Sequence, residues 1–136
     1  MAVQITPQPF QTGPRLVGGE ALNFAIANPA YSSQYNATAN GTTKATGTNI
    51  TAHVTHFGTV ASSGVAVLPL ASAGLILTVF NYGSNTLTIY PNASADTIDS
   101  AGAGASVSLS TTSRGAEFYC VSPGVWLTAI VGATTS

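Results

Sequence analysis

Two histidines, two aspartates and one cysteine are the side chains here whose types and spacing invite chemistry. His53 and His56 stand three apart in NITAHVTHF. On a strand, where side chains alternate faces, that spacing sends them to opposite sides, so one chain cannot present both to one metal. The pair reads as two ordinary polar strand residues, and a site on a symmetry axis, with one histidine from each of three chains, is the metal reading that survives. Asp96 and Asp99 lie in SADTIDSAG. Calcium wants about 6–8 oxygens from a recognisable loop, and glycoside hydrolysis wants two carboxylates across a sugar cleft. Neither pattern surrounds this pair, and aspartates capping turns account for both. Cys120 is the only cysteine and sits in AEFYCV. On a strand it shares a face with Ala116 and Phe118, which reads as a small buried hydrophobe. A reactive thiolate would want an electropositive setting. The run AGAGAS carries Gly102 and Gly104 but no helix follows, so it fails as a phosphate cradle. No G-x-S-x-G elbow singles out a serine nucleophile. Asn36, Asn40, Asn49 and Asn92 head N-x-S/T triplets that a chain rich in Asn, Ser and Thr produces by chance. No catalytic, cofactor-binding or metal-binding residue is assigned, and no cofactor is expected.

The scarcity of charge is more informative. Arg15, Lys44 and Arg114 stand against Glu20, Asp96, Asp99 and Glu117, so 5% of the 136 residues are charged and the net charge is −1. An average soluble domain carries roughly 25% charged residues. Ala, Thr, Ser and Gly make up half the chain. A surface built from them is flat and uncharged, and it loses little side-chain entropy when pressed against another surface. That suits a subunit covered by neighbours better than a diffusing enzyme. Three basic residues cannot neutralise enough phosphates to hold nucleic acid. No polybasic stretch addresses a membrane surface.

Three zones must position these residues. Residues 1–30 form an N-terminal arm, punctuated by Pro7, Pro9 and Pro14, that reads as extended. Glu20 to Asn28 is either a short helix stopped by Pro29 or more extended arm. The first residues lack the basic and apolar regions of a signal peptide. Residues 31–48, nearly all small and polar, read as a linker or loop. Residues 49–136 read as short strands. Ile50, Ala52 and Val54 alternate with polar residues and are expected on one face. Val65 to Phe80 is too short and interrupted for a membrane-spanning helix, which needs about 20 residues. It reads as two buried strands around a turn. GLILTVF is apolar on both faces, as a doubly covered central strand would be. Tyr82 to Asn85 is expected to close a hairpin onto TLTIY, with Leu87 and Ile89 inward. Val107 and Leu109 face inward in SVSLS. Ser122-Pro123-Gly124 joins AEFYCV to VWLTAIV in a second hairpin. Strands at this spacing predict an all-β chain, an antiparallel β-sandwich or jelly-roll-like domain behind the arm. Phe80, Tyr90, Tyr119 and Trp126 are expected in the core or in subunit contacts.

From about Val60 the chain resembles structural proteins of tailed bacteriophages. The resemblance rests on SGVAVLPLASAGLILTVFNYGSNTLTIYPNASADTID, on SVSLS, on GAEFYC and on the closing GVWLTAIV. TGPRLVGGEALN is similar to the leader of such proteins. The resemblance implies a virion component on the outer capsid surface, made in the bacterial host cytoplasm. It would be a decoration or cement protein that bridges neighbouring major capsid protein subunits, and a homo-oligomer, with a trimer favoured. The arm would staple the shell through Pro7, Pro9, Phe10, Pro14, Arg15, Leu16, Val17 and Phe24. Its prolines pre-set an extended backbone, which lowers the ordering cost. The alternative is a receptor- or glycan-binding head-fibre or tail-fibre module that exposes Trp126 or tyrosines. A small β-fold hydrolase ranks last, because no acid–base pair supports it.

Overall fold

A computed structural model describes residues 31–131. The expected N-terminal arm and its helix alternative over 20–28 lie outside them. Among the described residues ten strands form: β1 (Ser33–Ala39), β2 (Thr48–Asn49), β3 (Val54–Val60), β4 (Val65–Val67), β5 (Ile76–Asn81), β6 (Leu87–Tyr90), β7 (Thr97–Ile98), β8 (Val107–Leu109), β9 (Gly115–Ser122) and β10 (Val125–Val131). The described residues are all-β, with about 49% of them in strands. One single-turn 3-10 helix at Lys44–Thr46 precedes β2.

The strands build a six-stranded sheet, in the order β1-β3-β5-β9-β10-β7, and a four-stranded sheet, in the order β2-β4-β6-β8. From β1 to β9 each successive strand enters the other sheet. Alternation makes β1, β3 and β5 parallel neighbours, and likewise β2, β4 and β6. Parallel neighbours cannot be joined by a tight turn and need a crossover. Here each crossover contains a strand of the opposite sheet. The expected antiparallel arrangement is therefore corrected to two mixed sheets. Antiparallel pairing is confined to β5–β9, β9–β10 and β6–β8.

The corner after β5 shows why. Tyr82 to Asn85 was expected to fold β6 back onto β5, yet the two strands lie in different sheets. Asn81 is fully buried. Its Nδ2 donates to the carbonyls of Asn85 and Leu109, both at 2.9 Å, and its Oδ1 accepts from the Gly83 N–H at 3.0 Å. The Tyr82 N–H donates to the Phe57 carbonyl and the Asn85 Nδ2 to the Val60 carbonyl. Gly83 presses on the Val60 backbone so closely that a Cβ would lie 2.6 Å from its nitrogen. The turn residues are thus spent on the neighbouring strand and on β8, and the chain leaves the sheet. The hairpin between β9 and β10 does form. Pro123 leads its turn and Gly124 follows at φ +81°, a conformation that glycine tolerates.

Three further expectations are corrected. The polar zone 31–48 is no linker: β1 lies within it and pairs with β3, and the β-domain begins at Ser33. Edge-strand pairing needs backbone groups rather than apolar side chains, so polarity concealed it. The Ile50–Ala52–Val54 alternation breaks because the chain changes sheets there. The Ile50 N–H bonds the Val67 carbonyl in the smaller sheet, whereas β3 begins at Val54 with the opposite parity. Val54 is exposed and Thr55 and Phe57 are buried. Finally, β5 is central in its sheet but covered on one face only: Leu77 and Val79 are buried while Ile76 is 47% exposed.

One hydrophobic cluster draws on both sheets. Phe57, Leu77, Val79, Phe118 and Trp126 come from the larger sheet, and Ala66, Leu87, Ile89 and Leu109 from the smaller. Leu87, Ile89, Leu109, Ala116, Phe118 and Cys120 face inward as expected. Replacing Asn81 with Ala should orphan two carbonyls and one N–H in the interior, each worth about 1–3 kcal/mol. Urea unfolding should accordingly show a loss of at least about 3 kcal/mol, with Asn81→Asp no less damaging, because a buried carboxylate would set an acceptor against the two carbonyls that the Nδ2 now serves.

Candidate functional site

The two aspartates and the cysteine are engaged in structural contacts. The Asp96 carboxylate is buried and accepts from the Ala93 N–H at 3.3 Å, closing its own loop. Asp99, at φ +53°, accepts from the Thr128 N–H at 2.8 Å and from the Thr128 hydroxyl at 2.6 Å, stapling β10 to the loop after β7. Asp96 thus caps its own turn as expected, whereas the Asp99 carboxylate bonds a strand 29 residues away. Burial pushes the Cys120 thiol up from its ordinary range, and its Sγ donates to the Ser122 carbonyl at 3.3 Å. A raised thiol pKa leaves little thiolate at neutral pH, so Cys120 is a poor nucleophile. Among the described residues no three His, Cys, Asp or Glu side chains gather as a metal site.

The two histidines go to different surroundings. His53 lies in the bend before β3 and lines a small apolar recess with Ile50, Leu75 and Leu77. His56 lies on β3 and joins an aromatic row on the face of the larger sheet turned away from the core. The local backbone explains the row. Register shifts in β1 between Gln34 and Ala37 mark a bulge, and Asn36 there has φ +61°. The Asn36 side chain fills the space over Gly58, where any Cβ would collide with it. The bulge aims the Asn36 N–H at the His56 Nδ1, 3.2 Å away. It also lays the Tyr35 ring on the imidazole, with centroids 4.8 Å apart and planes 11° from parallel. Tyr82 approaches the imidazole with its centroid at 5.2 Å and meets Phe80 edge-on at 6.5 Å. The Arg114 guanidinium caps the row, 4.8 Å from the Tyr82 centroid. Gly115, paired with Phe80, leaves room for its ring: a Cβ there would lie 2.9 Å from it.

The same face has an apolar end. Pairing sets Ile76 beside Tyr119 and Tyr119 beside Leu127. Ile76 is 47% exposed and Leu127 44% exposed, with Val121 exposed two residues along β9. Thr78, Glu117 and Ala129 form the row between the two ends. The Tyr119 hydroxyl donates to the Glu117 carboxylate across it. That bond, followed by desolvation and the charge of Glu117, raises the Tyr119 phenol above its ordinary value.

The four aromatics singled out in the sequence do not converge. Trp126 is fully buried in the core. Phe80 belongs to the aromatic row, Tyr119 to the apolar end, and Tyr90 ends β6 in the other sheet, half-buried. Pro7, Pro9, Phe10, Pro14, Arg15, Leu16, Val17 and Phe24 lie outside the described residues. Sequence reasoning missed Tyr35, His56, Tyr82 and Arg114 as a group. Tyr35 fell in a presumed linker and Tyr82 in a presumed hairpin turn, and only parallel pairing of β1, β3 and β5 joins them.

The Tyr119 phenol sets a pH dependence. The folded chain holds that proton more tightly than the unfolded chain, whose tyrosines ionise near about 10. The contribution is therefore intact below that pH and is lost as pH rises through the higher folded value. An alkaline absorbance titration of the wild type minus that of Tyr119→Phe should show one phenol ionising above about 10.

Comparison with protein-family models, curated proteins and solved structures finds no match to this chain.

Proposed function

We propose that this chain is a non-enzymatic structural protein of a tailed-phage virion, which decorates the outer capsid surface and cements neighbouring major capsid protein subunits. The observation that carries the reading is the outward face of the larger sheet. It presents Ile76, Val121 and Leu127 with Tyr119, beside Thr78, Ala129 and the Glu117 that Tyr119 bonds, in a chain where 5% of residues are charged. Apolar side chains on an open face favour coverage by another surface. Few ionic groups must be desolvated when that happens. We read the two sheets as facing layers of a sandwich-like domain, since one hydrophobic cluster takes side chains from both. Their mixed strand order gives no support to the finer jelly-roll reading.

In this proposal the domain stands on the shell as a homo-oligomer, a trimer by preference, in contact through the Ile76–Tyr119–Leu127 row. The arm, with Phe10, Leu16, Val17 and Phe24 as anchors, lies across the major capsid protein. Each arm binds weakly, and several on one oligomer add through effective concentration. The protein is made in the bacterial cytoplasm and needs no nucleic acid, membrane or cofactor partner.

Two experiments test this. Deleting residues 1–17 should leave a folded β-domain that no longer co-sediments with expanded empty capsids, and retained binding would reject the arm. Ile76→Lys with Leu127→Lys should reduce the solution mass to that of a monomer while leaving the melting transition within a few degrees of wild type. A wild-type chain that is itself monomeric at every concentration would reject the oligomer.

A further inference from the structure

We propose that the Tyr35–His56–Tyr82–Arg114 row is a binding platform for a carboxylate-bearing saccharide, such as a uronic acid unit of a surface polysaccharide. It stands apart from the decoration reading, and capsid co-sedimentation does not depend on it.

The argument begins with exposure. Tyr35 is 82% exposed and Tyr82 54% exposed. Such large aromatic area in water is costly unless something covers it. These rings are also held rather than loose. Tyr35 rests on His56, and His56 is fixed by the Asn36 N–H on its Nδ1. That bond uses Nδ1 as acceptor and leaves the proton of the neutral ring on Nε2. Tyr82 lies between His56 and the Arg114 guanidinium. The platform is therefore ordered before any ligand arrives, which lowers the entropy cost of binding.

Chemistry then selects the ligand. A tyrosine ring offers a flat apolar face and a polar hydroxyl, which matches a pyranose with its C–H face and rim of hydroxyls. The charge narrows the class. The three carboxylates among the described residues are engaged elsewhere: Asp96 with Ala93, Asp99 with Thr128 and Glu117 with Tyr119. Arg114 forms no ion pair with any of them, so its fork of donors is available to a planar carboxylate. A nucleic acid strand would also stack on such rings, but its affinity needs a cationic groove. This chain has three Lys and Arg in all.

The test is calorimetric titration of the full-length chain with tri-galacturonate, with its neutral galactose counterpart as control. Saturable binding of the uronate is expected, with the neutral sugar at least about tenfold weaker. Tyr35→Ala and Tyr82→Ala should each weaken the uronate by about tenfold or more, the scale of losing a central aromatic contact. Arg114→Gln should abolish the preference for the acidic sugar while sparing neutral binding. These side chains lie outside the core, so each variant should keep the wild-type melting transition. A variant that fails to melt as wild type is replaced by Tyr35→Leu or Arg114→Met, read the same way. Absence of saturable uronate binding, equal binding of both sugars, or folded variants with unchanged affinity would overturn the proposal.

Discussion

Asn81 is the point on which the architecture turns. It ends the central strand of the larger sheet, and its amide is shared among three backbone groups, one of them on β8 in the smaller sheet. A buried amide with these partners satisfied costs little; the same amide in a simple hairpin would face the core with nothing to bond. The turn that follows is therefore committed to a change of sheet. From β3 to β6 each strand lies parallel beside its predecessor of two steps earlier.

That winding also decides what the outer face looks like. Alternation places β1, β3 and β5 side by side, so residues far apart in the chain become one row. Tyr35, His56 and Phe80 come from three successive turns of the chain, and Arg114 arrives with β9. At the other end of the same face, Ile76, Tyr119 and Leu127 are adjacent because β9 and β10 return antiparallel. A single sheet face thus carries a rigid, cation-capped aromatic end and an uncharged apolar end. With so few charges in the chain, neither end is shielded by the lysines and glutamates that ordinarily keep a sheet face or edge in water.

Much of the interior was legible from residue alternation alone. Leu87 and Ile89, Val107 and Leu109, and Ala116, Phe118 and Cys120 all face inward as period-two patterning requires, and Pro123-Gly124 makes the hairpin its chemistry demands. Alternation failed at Val54 because Ile50 and Ala52 precede β3, which begins there with the opposite parity, and a change of sheet resets parity without any marker in the local residues. It failed for β1 because an edge strand held mainly by backbone bonds needs no apolar face.

Composition and local pattern by themselves determined that the chain is all-β, nearly uncharged, built on short strands, and that its cysteine faces inward on one of them. These properties depend on side-chain volume, charge and neighbour spacing, which a linear sequence states outright. Which sheet each strand joins, whether neighbours run parallel, and which aromatics meet in one row were decided only in three dimensions. The reason is physical: those choices depend on where buried polar groups such as the Asn81 amide find partners, and its partner on β8 lies 28 residues away along the chain.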